Sequence, residues 1–201
     1  LAANDTVITN SGTIEATGDT SQAIRAAGDF TLTNTGFIAA TGGAVDVVGV
    51  ADITNEEGGA ITAGGAYGVR FNAGSSLTNR GEISGATGVI GSAGDDFVAN
   101  FGAITGTANG VSLGEGEDEF QQWTGASVAG NVALGGGNDT FVLEGASSSI
   151  AGVIDGGAGS DRAILAGVFD SDNFVGFETY QLGSTLGGTL ADVDIDGART
   201  L

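Results

Sequence analysis

The stretch Leu32-Thr33-Asn34-Thr35-Gly36-Phe37-Ile38 decides the fold: an apolar residue, Thr, Asn, any residue, Gly, any residue and Ile. Its apolar-Thr-Asn start returns at Ile8, Ile53 and Leu77, and a weaker copy follows at Val98-Ala99-Asn100. The asparagines are separated by 24, 21, 24 and 21 residues, and they are Asn10, Asn34, Asn55, Asn79 and Asn100. A period of this length is typical of a solenoid in which each repeat forms one coil.

Each coil contains three short apolar runs between turn residues. In the second coil they are Phe30-Thr31-Leu32-Thr33, Phe37-Ile38-Ala39-Ala40 and Val45-Asp46-Val47-Val48. Such runs are typical of β-strands, and equivalent strands of successive coils would pair in parallel at about 4.8 Å. We therefore predict an all-β fold, a right-handed three-sided parallel β-helix with about seven coils of 21–24 residues.

The coils are predicted to occupy residues 1–160. Residues 161–201 keep strand-like runs but lose the phase, so we expect them to form a C-terminal β cap. Inside the coils, like residues should stack along the axis. One predicted inward ladder is Ile14, Ile38, Ile61, Ile83 and Ile104, and another is Val45 and Val47, Val69 and Phe71, Val111 and Leu113, and Val132 and Leu134.

The fixed phase of the asparagines needs a physical reason. Asn tolerates turn conformations and bonds its local backbone, and stacked amides can bond one another from coil to coil. We expect an internal corner ladder of Asn10, Asn34, Asn55, Asn79 and Asn100. The alternative is that these residues only fill turns, which would leave their side chains in solvent.

Composition limits the function. Five Arg, no Lys and 25 acidic residues give a formal charge of −20, which repels phosphate backbones and argues against nucleic acid as a partner. Cys, His and Met are absent, so thiol nucleophiles, imidazole bases and His or Cys metal ligands are excluded. No apolar run reaches the length of a membrane span. We therefore expect no enzyme, no membrane insertion by this segment and no cofactor except a cation bound by oxygen atoms.

From about residue 91 the repeated phrase changes to glycines followed by an acid, as in Gly156-Gly157-Ala158-Gly159-Ser160-Asp161. The acids recur with nearly the same period as the asparagines, and they are Asp96, Asp118, Asp139 and Asp161. The phrase resembles that of repeats-in-toxin proteins, which implies a calcium-binding solenoid with these carboxylates as ligands. Those repeats run at about nine residues, however. The alternative is a tight glycine corner that Asp caps, with its carboxylate in water.

Charged residues also occupy outward positions of the third strand. Arg25, Asp46 and Arg70 alternate in sign in successive coils, as an exposed cross-strand ion ladder requires. Catalytic side chains of a polysaccharide lyase or hydrolase would project from such a sheet, so an enzyme of this class is the other interpretation. We expect Trp123 to fill a widened coil where the asparagine phase breaks.

Taken together, the Thr-Asn coils of residues 5–105 and the Leu-Gly-x-Gly-x-Asp-x-Phe phrases at 113–120 and 134–141 resemble the passenger domains of bacterial autotransporters, the type V secreted proteins. The segment Phe174-Val175-Gly176-Phe177-Glu178-Thr179-Tyr180-Gln181-Leu182 resembles the autochaperone near the C-terminal end of such passengers. The resemblance therefore points to the C-terminal part of an adhesin-like passenger.

This resemblance implies a location and a role. Passengers of Gram-negative bacteria cross the outer membrane unfolded and then lie at the cell surface or outside the cell, which suits a chain without Cys. The implied function is a structural stalk that serves adhesion or self-association, with a host or bacterial surface protein, matrix or glycan as partner. No catalytic residue is implied.

Overall fold

The computed structural model describes residues 6–145, 148–166 and 173–183. These residues form a parallel β-solenoid, which confirms the predicted all-β class. No α-helix occurs in these ranges, and none of their segments is a helix long and apolar enough to cross a membrane. Successive coils pair strand on strand in parallel, as the repeat predicts.

Strands of the first sheet begin directly after one corner of each coil. They are β1 (Thr6–Asn10), β4 (Phe30–Asn34), β7 (Ala51–Asn55), β10 (Ser76–Asn79), β13 (Phe97–Asn100), β15 (Glu119–Gln122), β17 (Thr140–Glu144), β20 (Arg162–Ala166) and β22 (Thr179–Leu182). Nine strands make eight steps of about 4.8 Å, so the stack is roughly 38 Å long. It continues past residue 161, where the sequence pattern loses its phase.

The remaining strands form two further stacks. One contains β2 (Thr13–Ala16), β5 (Phe37–Ala40), β8 (Ala60–Ala63), β11 (Glu82–Ser84) and β18 (Ser149–Ile150). The other contains β3 (Ile24–Ala26), β6 (Val45–Val47), β9 (Tyr67–Phe71), β12 (Thr87–Ile90), β19 (Ile154–Gly159) and β21 (Phe174–Val175). The long strands β14 (Ala103–Glu115) and β16 (Ser127–Gly137) run through both stacks and join them into one sheet.

The core is built from stacked like residues. In the second stack, isoleucine pairs with isoleucine from Ile14 to Ile104, and all but Ile14 are almost fully buried. The predicted valine, leucine and phenylalanine pairs of the third stack are buried too. The core of the last coils becomes aromatic, since Phe120 stacks on Phe141, which meets Phe174 and Phe177 edge-on. Burial of these columns is the main stabilising contribution.

The strand pairing and the burial do not test two of the predictions about the shape. The right-handed sense of the coils stays a prediction, as does the boundary at residue 160. The end of the proposed cap, residues 184–201, lies outside the described residues.

Candidate functional site

The predicted asparagines form one column at the corner after the first sheet. Each side-chain amide donates to the amide oxygen of the next coil: Asn10 to Asn34, Asn34 to Asn55, and Asn55 to Asn79 at 2.8 Å, and Asn79 to Asn100 at 2.9 Å. Most amides also bond glycine carbonyls of the corner, as Asn34 does with Gly36 at 3.1 Å. Their side chains are buried. The ladder therefore satisfies corner groups that the strand pairing leaves open.

Gln122 extends this ladder by one coil. The Asn100 amide donates to Gln122 Oε1 at 2.9 Å, and Gln122 is fully buried. The sequence pattern missed this residue because Gln replaces Asn and the Thr before it is lost. The signal was its position one repeat after Asn100.

The four aspartates of the glycine phrases form a second column, at the corner before the first sheet. Each backbone N–H donates to the carboxylate of the next coil: Asp96 to Asp118 at 2.7 Å, Asp118 to Asp139 at 2.8 Å and Asp139 to Asp161 at 2.8 Å. Glu178 accepts from Asp161 at 2.8 Å and closes the column. Sequence reasoning missed Glu178, because it follows Asp161 by less than a full repeat.

The carboxylates of these aspartates are buried rather than solvated. Each of the four residues is only 1–2% exposed, so the expectation of carboxylates in water is wrong. The second oxygens of Asp118, Asp139 and Asp161 have no hydrogen-bond partner among the described residues. Only Asp96 uses both oxygens, since its Oδ2 accepts from the Ser92 N–H at 2.9 Å.

Burial changes the acidity of the column. It raises the pKa of Asp118 to about 7 and the pKa values of Asp96 and Asp139 to about 6. Burial also raises the pKa of Asp161. Neighbouring carboxylates act in the same direction, because Asp118 lies between two other aspartates of the column. A buried carboxyl with an unpartnered oxygen favours its neutral form.

The calcium hypothesis needs carboxylates that converge on one point. The column instead directs one oxygen of each aspartate at a backbone N–H. Within residues 6–145, 148–166 and 173–183, no group of three or more acids is arranged to hold a metal ion. Calcium at Asp96, Asp118, Asp139 and Asp161 stays a prediction.

The predicted ion ladder surrounds Asp46. Arg70 donates to both oxygens of Asp46, from Nε and Nη2 at 2.9 Å each, and Arg25 Nε lies 3.5 Å away. Asn72 donates to the same carboxylate at 3.0 Å. The Asp46 side chain is 2% exposed, so the ladder is centred on a buried acid and is not wholly exposed as predicted.

The contacts of Asp46 give it a structural role. Burial alone would raise the pKa of Asp46, but the hydrogen bonds and charge of Arg70 lower it below the ordinary value. Four hydrogen-bond and ionic contacts hold the carboxylate in place. Both oxygens are thus engaged in the ion ladder, and removal of Arg70 would leave a buried carboxylate without its main partner.

A third feature is a row of residues that each come directly after a member of the asparagine ladder in the chain. We call it the corner row, and its members are Glu56, Arg80, Phe101 and Trp123. Arg80 lies 3.6 Å from Glu56 and covers the Phe101 ring at 5.2 Å. Trp123 stacks on Phe101 with ring centroids 4.9 Å apart. Phe101 is exposed and Trp123 is half-buried. Trp123 therefore lies on the outer surface, and the prediction that it fills a widened coil is wrong.

A surface groove of about 470 Å³ runs beside the corner row. Its polar lining residues are Arg80, Glu82 and Ser127, and glycines and alanines make up the rest. The groove crosses four coils, because Ala60, Glu82, Ala103 and Ser127 occupy equivalent positions of successive strands. It can accept an elongated polar ligand along the solenoid axis.

Comparison with protein-family models, with curated proteins and with solved structures finds no match for this chain.

Proposed function

We propose that the chain is a stalk and adhesion or self-association segment of an autotransporter passenger, displayed on the surface of a Gram-negative bacterium. The observation that carries this proposal is the unbroken column of asparagine amides beside a stack of nine parallel strands. Backbone and side-chain bonds repeat at every coil, which suits a stiff spacer.

The outer faces suit contact with other surfaces. Thr9, Thr33, Thr54 and Thr78 stand in register on the outer side of the first sheet. A row of hydroxyl groups offers hydrogen bonds without charge. Such a face fits a protein, matrix or glycan partner, or a second copy of the chain, better than an anionic polymer, which the net charge of −20 repels.

The resemblance of the repeats supports the passenger assignment. Thr-Asn coils followed by glycine and acid phrases are the features on which it rests. Export as an unfolded chain also suits the absence of Cys, because a disulfide would hinder passage through a membrane pore.

Surface display tests the proposal. We would fuse the chain to an outer-membrane anchor and measure the settling of cells and their retention on immobilised matrix. Cells that display the same anchor alone are the control. We expect faster settling or greater retention of cells that carry the solenoid. Equal behaviour of the two strains in both assays would refute the adhesive role.

A calcium-binding solenoid is the second candidate. The observation in its favour is the buried acid column with the unpartnered oxygens of Asp118, Asp139 and Asp161. Calorimetric titration with Ca²⁺ and thermal melting in a chelator test it at pH 8, where the carboxylates are most ionised. Heat of binding together with a lower Tm in chelator would support calcium, and no change in either would exclude it.

A further inference from the structure

The groove beside the corner row has a floor made of backbone. Its lining includes Gly59, Gly81 and Gly102, which occupy one column of the corner. A Cβ atom at Gly81 would collide with the Gly59 carbonyl, and one at Gly102 would collide with the Gly81 carbonyl. The close approach of successive coils therefore excludes side chains from the floor and keeps the groove open.

Polar side chains stand within and beside this floor. Arg80 is 45% exposed and is held by Glu56 on one side and the Phe101 ring on the other. Glu82 is exposed on the outer side of β11. Arginine and carboxylate groups offer several hydrogen bonds in fixed planes. The groove thus combines donors and acceptors on a rigid strand stack.

Phe101 and Trp123 do not line the groove, but they lie close to its lining residues Gly102 and Gly125 in the chain and supply an apolar surface at its edge. Arg80 covers one face of Phe101 and Trp123 covers the other, so Phe101 presents its ring edge. Trp123 caps this stack, and its indole N–H is held by Gln121 Oε1 at 3.1 Å. A fixed, partly exposed indole is suited to contact the C–H groups of a ligand.

These features favour one class of ligand. The groove lacks an apolar pocket that could take an anchor side chain of a protein partner, since its lining is mostly glycine and alanine. The net charge of −20 repels polyanions, and Glu56 and Glu82 outnumber Arg80 locally. A chain of neutral sugars has hydroxyl groups for the polar residues and C–H faces for the indole.

We propose that the groove between the corner row and Glu82 binds a neutral oligosaccharide along the solenoid axis. Arg80 and Glu82 bond its hydroxyl groups, and Trp123 packs against one of its rings. This proposal rests on the adhesive function proposed above and names the chemical class of its partner.

Trp123 provides the test, because it is the single Trp of the chain. We would titrate the protein with neutral hexasaccharides of β-linked glucose, β-linked N-acetylglucosamine and α-linked mannose, and record tryptophan fluorescence and calorimetric heat together. A hexasaccharide of galacturonic acid is the charged comparison. We expect saturable binding of at least one neutral probe with a change in Trp123 emission, and weaker binding of the acidic probe.

Matched variants locate the site. Glu82→Gln should weaken binding of the neutral probe at least tenfold, whereas Glu15→Gln, at an exposed position of β2, should leave it unchanged. Trp123→Phe keeps an aromatic ring and should retain binding as measured by calorimetry. Binding without a change in Trp123 emission, equal effects of the two Glu variants, or no binding of any neutral probe would overturn the proposal.

The cell assay separates this proposal from the proposed function. Displaying cells that carry Glu82→Gln should lose retention on the sugar that binds. If they settle and adhere like the parent while the parent exceeds the anchor control, adhesion stands and the groove is not its site. If the purified protein binds sugar but displaying cells behave like the anchor control, the groove stands and the adhesive function fails.

Discussion

Buried acids are the unusual feature at the residue scale. A chain with 25 acidic residues places four aspartates in a single column inside the fold. The reason lies in the backbone: from Ser75 to Asp161, the residue before each strand of the first sheet donates its N–H to a side-chain carboxylate of the next coil. A side-chain carboxyl reaches it at 2.7–2.8 Å, which a shorter or apolar residue could not do.

The acid column makes stability depend on pH. The pKa values of Asp96, Asp118 and Asp139 are raised to about 6–7 in the fold from about 3.9 in the unfolded chain. The folded state therefore holds protons that the unfolded state releases, and this contribution is lost as pH rises through 6–7. We expect Tm to be at least about 5 °C higher at pH 5 than at pH 8, since 1 kcal/mol shifts Tm by about 2–4 °C at this size.

Salt distinguishes this effect from surface repulsion. The net charge of −20 also weakens the fold as pH rises, but about 0.5 M NaCl screens exposed charges far more than buried ones. A pH dependence of Tm that persists in salt supports the column, and one that disappears in salt contradicts it. Below pH 4 we expect Tm to fall as pH falls. The pKa of Asp46 is lowered in the fold, so protonation of its carboxylate there removes a stabilising contribution.

Asp118→Asn tests one member of the column. The substitution keeps an oxygen for the Asp96 N–H and removes the buried charge. We expect it to increase the free energy of unfolding at pH 8 by roughly 2 kcal/mol and to change it much less at pH 5, since one pKa unit is worth about 1.4 kcal/mol. Urea unfolding at both pH values measures this. Asp19→Asn, at an exposed site, is the control, and the same change in both variants would contradict the account.

The asparagine ladder gives a second prediction for single residues. Asn55 bonds Asn34, Asn79 and two backbone carbonyls, whereas Asn10 has one ladder neighbour in the described residues. Asn55→Ala leaves several buried groups unsatisfied, at about 1–3 kcal/mol each. We expect it to lower the free energy of unfolding by at least about 3 kcal/mol, and Asn10→Ala by less, since Asn10 also bonds two backbone carbonyls but has one ladder neighbour fewer among the described residues. Equal costs in urea unfolding would show that the ladder is not cooperative.

At the scale of elements, the strands are too short to be stable alone. Most contain three to five residues, so each depends on the strands above and below it. The strands can pair only if the backbones of successive coils also approach one another closely at the corners, along the whole stack.

Gly102 and Gly12 test this requirement, because they occupy equivalent corner positions in different coils. A Cβ atom at Gly102 would collide with the Gly81 carbonyl, whereas one at Gly12 would meet no atom of the described residues within 4 Å. We expect Gly102→Ala to lower the free energy of unfolding by about 2 kcal/mol or more, as overpacking does, and Gly12→Ala to be nearly neutral. A neutral Gly102→Ala in chemical unfolding would contradict the corner geometry.

The sequence predicted positions better than the roles of side chains. Period and alternation were enough to assign the inward isoleucines and the stacked Asn and Asp residues, because those patterns depend only on phase. They could not show that Asp118 is buried or that Gln122 continues the asparagine column, since both depend on which backbone groups the corners leave open. Trp123 was misplaced because a large apolar residue is normally assigned to the core, and its stacking partner Phe101 lies one full repeat away in the sequence.

For the whole molecule, the repeat length alone predicted a solenoid, since coils of this size cannot bury their apolar residues without neighbours. The extent of the first sheet was not predictable. The stack continues through Arg162 and Thr179 although the chain between these two paired residues is shorter than a full repeat. Phe174 and Phe177 pack on Phe141 and fill the core there. The repeat period could not predict that aromatic residues outside the period would take the place of the stacked aliphatic ones.

Distances along the outer face of the first sheet test the solenoid most directly. The chain has no native Cys, so pairs of introduced cysteines can carry spin labels without further substitution. Thr31 and Thr140 are five coils apart in register, and Val7 and Arg162 are seven coils apart. At about 4.8 Å per coil, double electron–electron resonance should give narrow distributions near about 24 Å and about 34 Å. Broad distributions, or two distances that do not increase with the number of coils, would contradict the stacked solenoid.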